Sequence, residues 1–166
     1  MRRTIALLFG LILVLATTSP VLAVKPERFF LPADDLQFAA GEVCDFPVMQ
    51  EVVVNREYGL LFPVAQDGSQ LMLVTGSLVL REINEATGKS IVVNASGPGK
   101  LTFNADGSLV ASGGGRWTVF LFPTDVGGPS FHLTTGRVTV RIEADGTVSL
   151  AIFPNRTTDL CAALAA

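Results

Sequence analysis

Few side chains in this 166-residue sequence have the type and spacing that chemistry needs. The only histidine, His132, would have to be the base of any nucleophilic triad. No Gly-x-Ser-x-Gly elbow accompanies it, and it stands in a run of Phe, Leu and Thr at the start of a strand. A surface histidine, or one at the mouth of a barrel, is preferred to a catalytic one. Carboxylates are the other acid–base candidates. Glu51 and Glu57 flank the first turn, Glu82 follows Arg81, and Glu143 lies near Arg141. The Arg/Glu neighbours read as solvated cross-strand charges, because opposite charges on an exposed face need no further purpose.

Gly113, Gly114 and Gly115 precede Arg116 and Trp117. Bare backbone beside a cation and an aromatic ring is a place where a ligand could approach closely, so Arg116, Trp117, His132 and Glu51 form the candidate polar or ligand site. The competing reading of the glycines is a structural corner, and it is preferred because Gly inside strands usually marks a bend. Cys44 and Cys161 read first as a disulfide, as an even pair does in an oxidising compartment. Two cysteines and one histidine are too few for a structural zinc site, and no Asp/Asn ligand loop suggests calcium. No Gly-rich loop leads into a helix to hold phosphate. No cofactor and no metal are expected. The net charge is −3, with no Lys/Arg cluster, so nucleic acid is not an expected partner.

The elements that must position these residues begin after a leader. Arg2 and Arg3 give a positive start, Ile5 to Ala16 an apolar run, and Val21-Leu22-Ala23 a cleavage-like end. The apolar run is shorter than the ~20 residues of a permanent membrane span, so residues 1–23 are expected to be a signal peptide and not a stable anchor. Localisation is then secreted and extracellular, with processing near Ala23. Residues 24–43 read as a linker whose Phe29, Phe30 and Phe38 could dock on the domain that follows.

From residue 44 to 166 the pattern is all-β: β-branched and aromatic runs between Gly, Pro, Asn and Asp clusters. Seven turn signals separate eight strands, near 46–55, 57–64, 69–84, 88–96, 99–104, 108–122, 130–144 and 147–160. Gly76, Gly113 to Gly115 and Gly136 fall inside the long ones. Phe131 and Leu133 share one parity while Val138, Val140 and Ile142 share the other, so a bulge at Gly136 would bring both sets inward. Such kinks let a sheet coil tightly, and an antiparallel meander closing into an eight-stranded barrel is expected, with a β-sandwich as the alternative. In a closed meander the first and last strands are neighbours, which places Cys44 beside Cys161. A bond there would stabilise by about 4.8 kcal/mol on the chain-entropy argument. Leu73-Val74-Thr75-Gly76 recurs as Leu133-Thr134-Thr135-Gly136, which suggests a duplicated half. Asp-Gly at 67, 106 and 145 is evenly spaced but falls in turns two, five and seven of this count, and is read as turn chemistry alone.

Cys44-Asp45-Phe46-Pro47-Val48, Thr87-Gly88-Lys89, Ser96-Gly97-Pro98-Gly99 and Asp159-Leu160-Cys161-Ala162-Ala163-Leu164 resemble a family of small secreted proteins of actinobacteria and similar bacteria, over about residues 38–164. The resemblance implies a secreted bacterial product and no particular activity. The expected shape is also similar to the barrels of allene oxide cyclases, dirigent proteins and lipocalins, a likeness that does not transfer function. Several strands are apolar at both parities and must bury both faces. The expected role is therefore a non-enzymatic extracellular protein that binds an apolar small molecule or an envelope partner, with a homo-oligomer as another way to cover such faces. An isomerase or cyclase of the barrel type, and a purely structural extracellular protein, are the alternatives.

Overall fold

The computed structural model describes residues 25–165. The leader expected at 1–23 and its cleavage site lie outside them. The described chain is an antiparallel meander of long strands, each broken once by a sharp bend. β3 (Val48–Asn55) passes through Arg56 and Glu57 into β4 (Tyr58–Leu61), and β5 (Gln70–Thr75) passes through Gly76 into β6 (Leu78–Asn84). β7 (Ser90–Asn94) continues as β8 (Gly99–Phe103), and β9 (Leu109–Gly113) as β10 (Arg116–Leu121). β11 (Ser130–Thr135) turns at Gly136 into β12 (Val138–Ile142), and β13 (Val148–Ile152) continues as β14 (Thr157–Asp159) and α1 (Leu160–Ala165). The stretch expected to be a linker contributes a bent strand of its own. β1 (Glu27–Phe30) pairs with β4 and β2 (Leu36–Phe38) pairs with β3.

On one side of the bends the meander is a continuous seven-stranded sheet, β1-β4-β5-β8-β9-β12-β13. On the other side it splits into a four-stranded sheet, β2-β3-β6-β7, and a three-stranded sheet, β10-β11-β14. No sheet closes, so the expected barrel is not formed and the arrangement is sandwich-like, as the alternative held. On the split side the gap lies between β7 and β10, and on the other side β1 and β13 end the large sheet without pairing. The β8·β9 ladder runs to Gly99 opposite Gly113 and ends in a bond from Gly114 N to Pro98 O, 3.1 Å. Pro98 has no N–H to carry the ladder further, and the two strands part beyond it.

Gly76 and Gly136 stand at bends between sheets and not at hairpin tips, with φ of 141° and 131°. A side chain at Gly76 would collide with the backbone of Arg56 and Glu57, the bend of the neighbouring strand. The bend at Gly136 also resolves the parity change. Phe131 and Leu133 enter one core, whereas Val138 and Val140 enter another.

The first core joins the four-stranded sheet to β11 and α1 through Leu80, Val93, Phe131, Leu160 and Leu164. Phe38 of β2 seals it, with ring centroids 5.0 Å from Phe120 and 6.3 Å from Phe131. The second core packs Val119 and Leu121 of β10 on Val138, Val140 and Val148 of the large sheet. β10 is thus apolar at both parities because Phe120 packs against the first core while Val119 and Leu121 enter the second. Across the open end, Cys44 and Cys161 form a disulfide with Cα atoms 5.5 Å apart. It ties the loop before β3 to α1, holding the two split sheets together. Asp159 caps α1, accepting from Ala162 N at 3.0 Å.

The three hairpins at the far edge of the large sheet are built alike. Ser69, Ser108 and Thr147 each donate from backbone and hydroxyl to Asp67, Asp106 and Asp145, two residues earlier. Those hydroxyl bonds hold all three carboxyls below their ordinary range. The turns recur at 67, 106 and 145, a constant 39-residue interval, and they occupy equivalent places. Gly68 packs on Ala105 of the next turn, and Gly107 on Ala144 of the one after. The internal repeat is therefore a hairpin present three times. The echo between Leu73–Gly76 and Leu133–Gly136 does not follow it, since those strands run in opposite directions through the meander.

Candidate functional site

The bends of several strands line up as a crease, and a cavity of about 200 Å³ opens along it. Its walls come from both sides of the fold: Val74 and Leu101 from the large sheet, Leu78 and Ala95 from the four-stranded sheet, Trp117 and Thr118 from β10. Trp117 is fixed by what is missing around it. Its indole lies against Gly97, Gly99 and Gly113, at each of which a Cβ would overlap ring atoms. For Gly99 the approach to Trp117 Cζ2 would be 2.7 Å. From the backbone side, Thr134 Oγ1 donates to Trp117 O at 3.2 Å. A second cavity of about 220 Å³, also lined by Trp117 and Thr118, lies along the unpaired edge of β10 beside Val140, Ile142 and Val148.

One acidic residue lines the crease cavity, Glu57, at the bend between β3 and β4. Asn55 Oδ1 accepts from Glu57 N at 2.9 Å, and Glu57 O accepts from Leu31 N at 3.0 Å, so the bend is pinned on both sides. Burial pushes the Glu57 carboxyl above its ordinary pKa. An apolar wall with one readily neutralised acid suits an uncharged or weakly polar molecule.

Of the residues singled out in the sequence, Trp117 lines this cavity and the others stand apart from it. Arg116 is exposed at the start of β10, opposite Thr135. Glu51 lies on the outer face of the four-stranded sheet, where Arg81 Nη1 meets its Oε2 at 2.9 Å. His132 is half-buried on β11 with its ring 5.2 Å from that of Phe153, and its Nδ1 is buried without a hydrogen-bond partner. Arg141 pairs with Glu143 at 2.8 Å at the edge of the large sheet. Among the described residues no three His, Cys, Asp or Glu side chains converge as a metal site, and no helix is long and apolar enough to cross a membrane.

Glu82 is a correction. Expected as a solvated partner of Arg81, it is fully buried. Neighbouring residues on a strand point to opposite faces, so Arg81 outward places Glu82 inward. Both Glu82 carboxyl oxygens and Oε1 of Gln50, its register partner on β3, lack hydrogen-bond partners. Burial raises the Glu82 pKa to about 8. It is a neutral core acid at pH 7 and lies outside the crease cavity. Its parity with Leu78, Leu80 and Asn84 was the signal available in the sequence.

The chain matches no family model, no curated protein and no solved structure.

Proposed function

We propose that this chain is a secreted, non-enzymatic protein that holds an apolar small molecule in the crease cavity beside Trp117. The observation that carries this reading is the cavity itself: an apolar space at the junction of three sheets, walled by an indole fixed on glycines. The neighbouring cavity along β10 shares Trp117 and Thr118 with it and adds further apolar wall. The Cys44–Cys161 disulfide and the leader-like start of the sequence support an extracellular setting.

Native mass spectrometry of the disulfide-bonded protein, after incubation with lipid and secondary-metabolite extracts, tests the reading. Retention of an unaltered apolar compound supports a carrier. The isomerase or cyclase reading rests on Glu57, the one acid lining the cavity. Conversion of a retained compound, lost on Glu57→Gln while retention persists, would favour it over simple binding. No retained compound in any extract would contradict both.

A further inference from the structure

On the opposite side of the large sheet from Trp117 lies a chemically different groove of about 490 Å³. Gly99 and Gly113 form its floor, since their Cβ positions face the indole and leave bare backbone on the other side. Lys100, Ser112 and Thr139 stand directly across from one another on β8, β9 and β12, which sets them in one row on this outer face. Arg137, just after the bend at Gly136, also lines the groove. Neither Lys100 nor Arg137 makes an ion pair or side-chain hydrogen bond with a described residue. The chain carries a net charge of −3, so two cations around one groove are a local feature.

Gly114 supplies an independent observation. Gly113 is required by the Trp117 ring, and Gly115 by its φ of 82°. Gly114 has no left-handed φ, and a Cβ there would meet nothing within 4 Å. Neither a left-handed φ nor packing demands glycine at this wall of the groove, and a side chain there would project into open space.

We propose that this groove binds the phosphate group of a polar ligand, with Lys100 and Arg137 supplying charge and Ser112 and Thr139 supplying hydroxyl donors. Two cations and two hydroxyls suit a tetrahedral dianion better than a carboxylate, which a single guanidinium can satisfy. Two cations do not make a track for a nucleic-acid backbone. The volume exceeds that of one phosphate and leaves space for the group that carries it.

Amide NMR of the disulfide-bonded protein tests this, with inorganic phosphate and glycerol 1-phosphate titrated against sodium chloride at matched ionic strength. Saturable shifts at Ser112, Gly113 and Gly114 are expected with phosphate and not with chloride. Tighter binding of glycerol 1-phosphate indicates a carried phosphate, and equal binding indicates the free ion. The Lys100→Ala/Arg137→Ala double variant should weaken binding by about tenfold or more, as loss of charge-assisted bonds does. Gly114→Leu should do the same by filling the groove, with an unchanged thermal midpoint. Absence of saturable shifts with either phosphate, or shifts unaltered in the double variant, would overturn the proposal. Neither result bears on the crease cavity, which lies across the sheet.

Discussion

The indole of Trp117 occupies the position that a side chain on Gly113 would take. This contact sits where the ladder between β8 and β9 ends, so ring, glycine and split belong to one local arrangement. Gly113→Ala and Gly99→Ala should therefore overpack the crease and cost about 1–3 kcal/mol. Gly114→Ala, at the next residue along the same backbone, should stay within about 0.5 kcal/mol. Denaturant midpoints of the three variants decide it; equal costs at all three positions would show that the ring does not impose the glycines.

The disulfide closes a loop with a sequence separation of 117 residues and joins the two sheets on the split side. Reduction, or Cys44→Ser with Cys161→Ser, should lower stability by about 2–5 kcal/mol. Urea unfolding with and without reductant measures the loss, and an unchanged midpoint would mean that the first core holds the split closed without it.

Glu82 gives a pH dependence with a definite sign. Its carboxyl is raised in the folded state to about 8, while in the unfolded chain it ionises in the ordinary carboxylate range. Between those values folding retains a proton that unfolding releases, so stability is full below the ordinary range and falls as pH rises toward 8. The slope from this group is on the order of 1.4 kcal/mol per pH unit, levelling off above its folded pKa. Thermal midpoints from pH 5 to 9 should decline for the wild type, and Glu82→Gln should remove most of the decline. A Glu82→Gln profile parallel to the wild type would place the pH dependence elsewhere.

The all-β class was legible in the sequence because turn dipeptides and β-branched runs act locally, and the pairing of Cys44 with Cys161 because the chain has two cysteines and so one intramolecular bond to make. The strand count was not. Asn55-Arg56 and Ser96-Gly97-Pro98-Gly99 read as turns, yet the chain only bends there, inside single long strands. A hairpin and a bend use the same residues and differ only in what the next strand pairs with, which is a tertiary fact. The miscount hid the repeat, since Asp67, Asp106 and Asp145 seemed to fall in unlike turns. Phe38 was visible as a residue that could dock, but the edge strand around it is three residues long and has no alternation to reveal it. The site was legible in part. Trp117 beside the glycine triplet was a local signal, while Glu57 becomes distinctive only when the bends align.

Trp117 is the only tryptophan in the chain and lines both apolar cavities, so its emission reports their occupancy directly. The decisive measurement is its fluorescence during titration with an uncharged apolar probe, 1-decanol, in the wild type and in Val74→Phe, which narrows the crease. A saturable spectral shift is expected in the wild type, lost or greatly weakened in Val74→Phe while the folded baseline is kept. Emission unchanged up to the solubility limit of the probe, or an identical response in the narrowed variant, would contradict it.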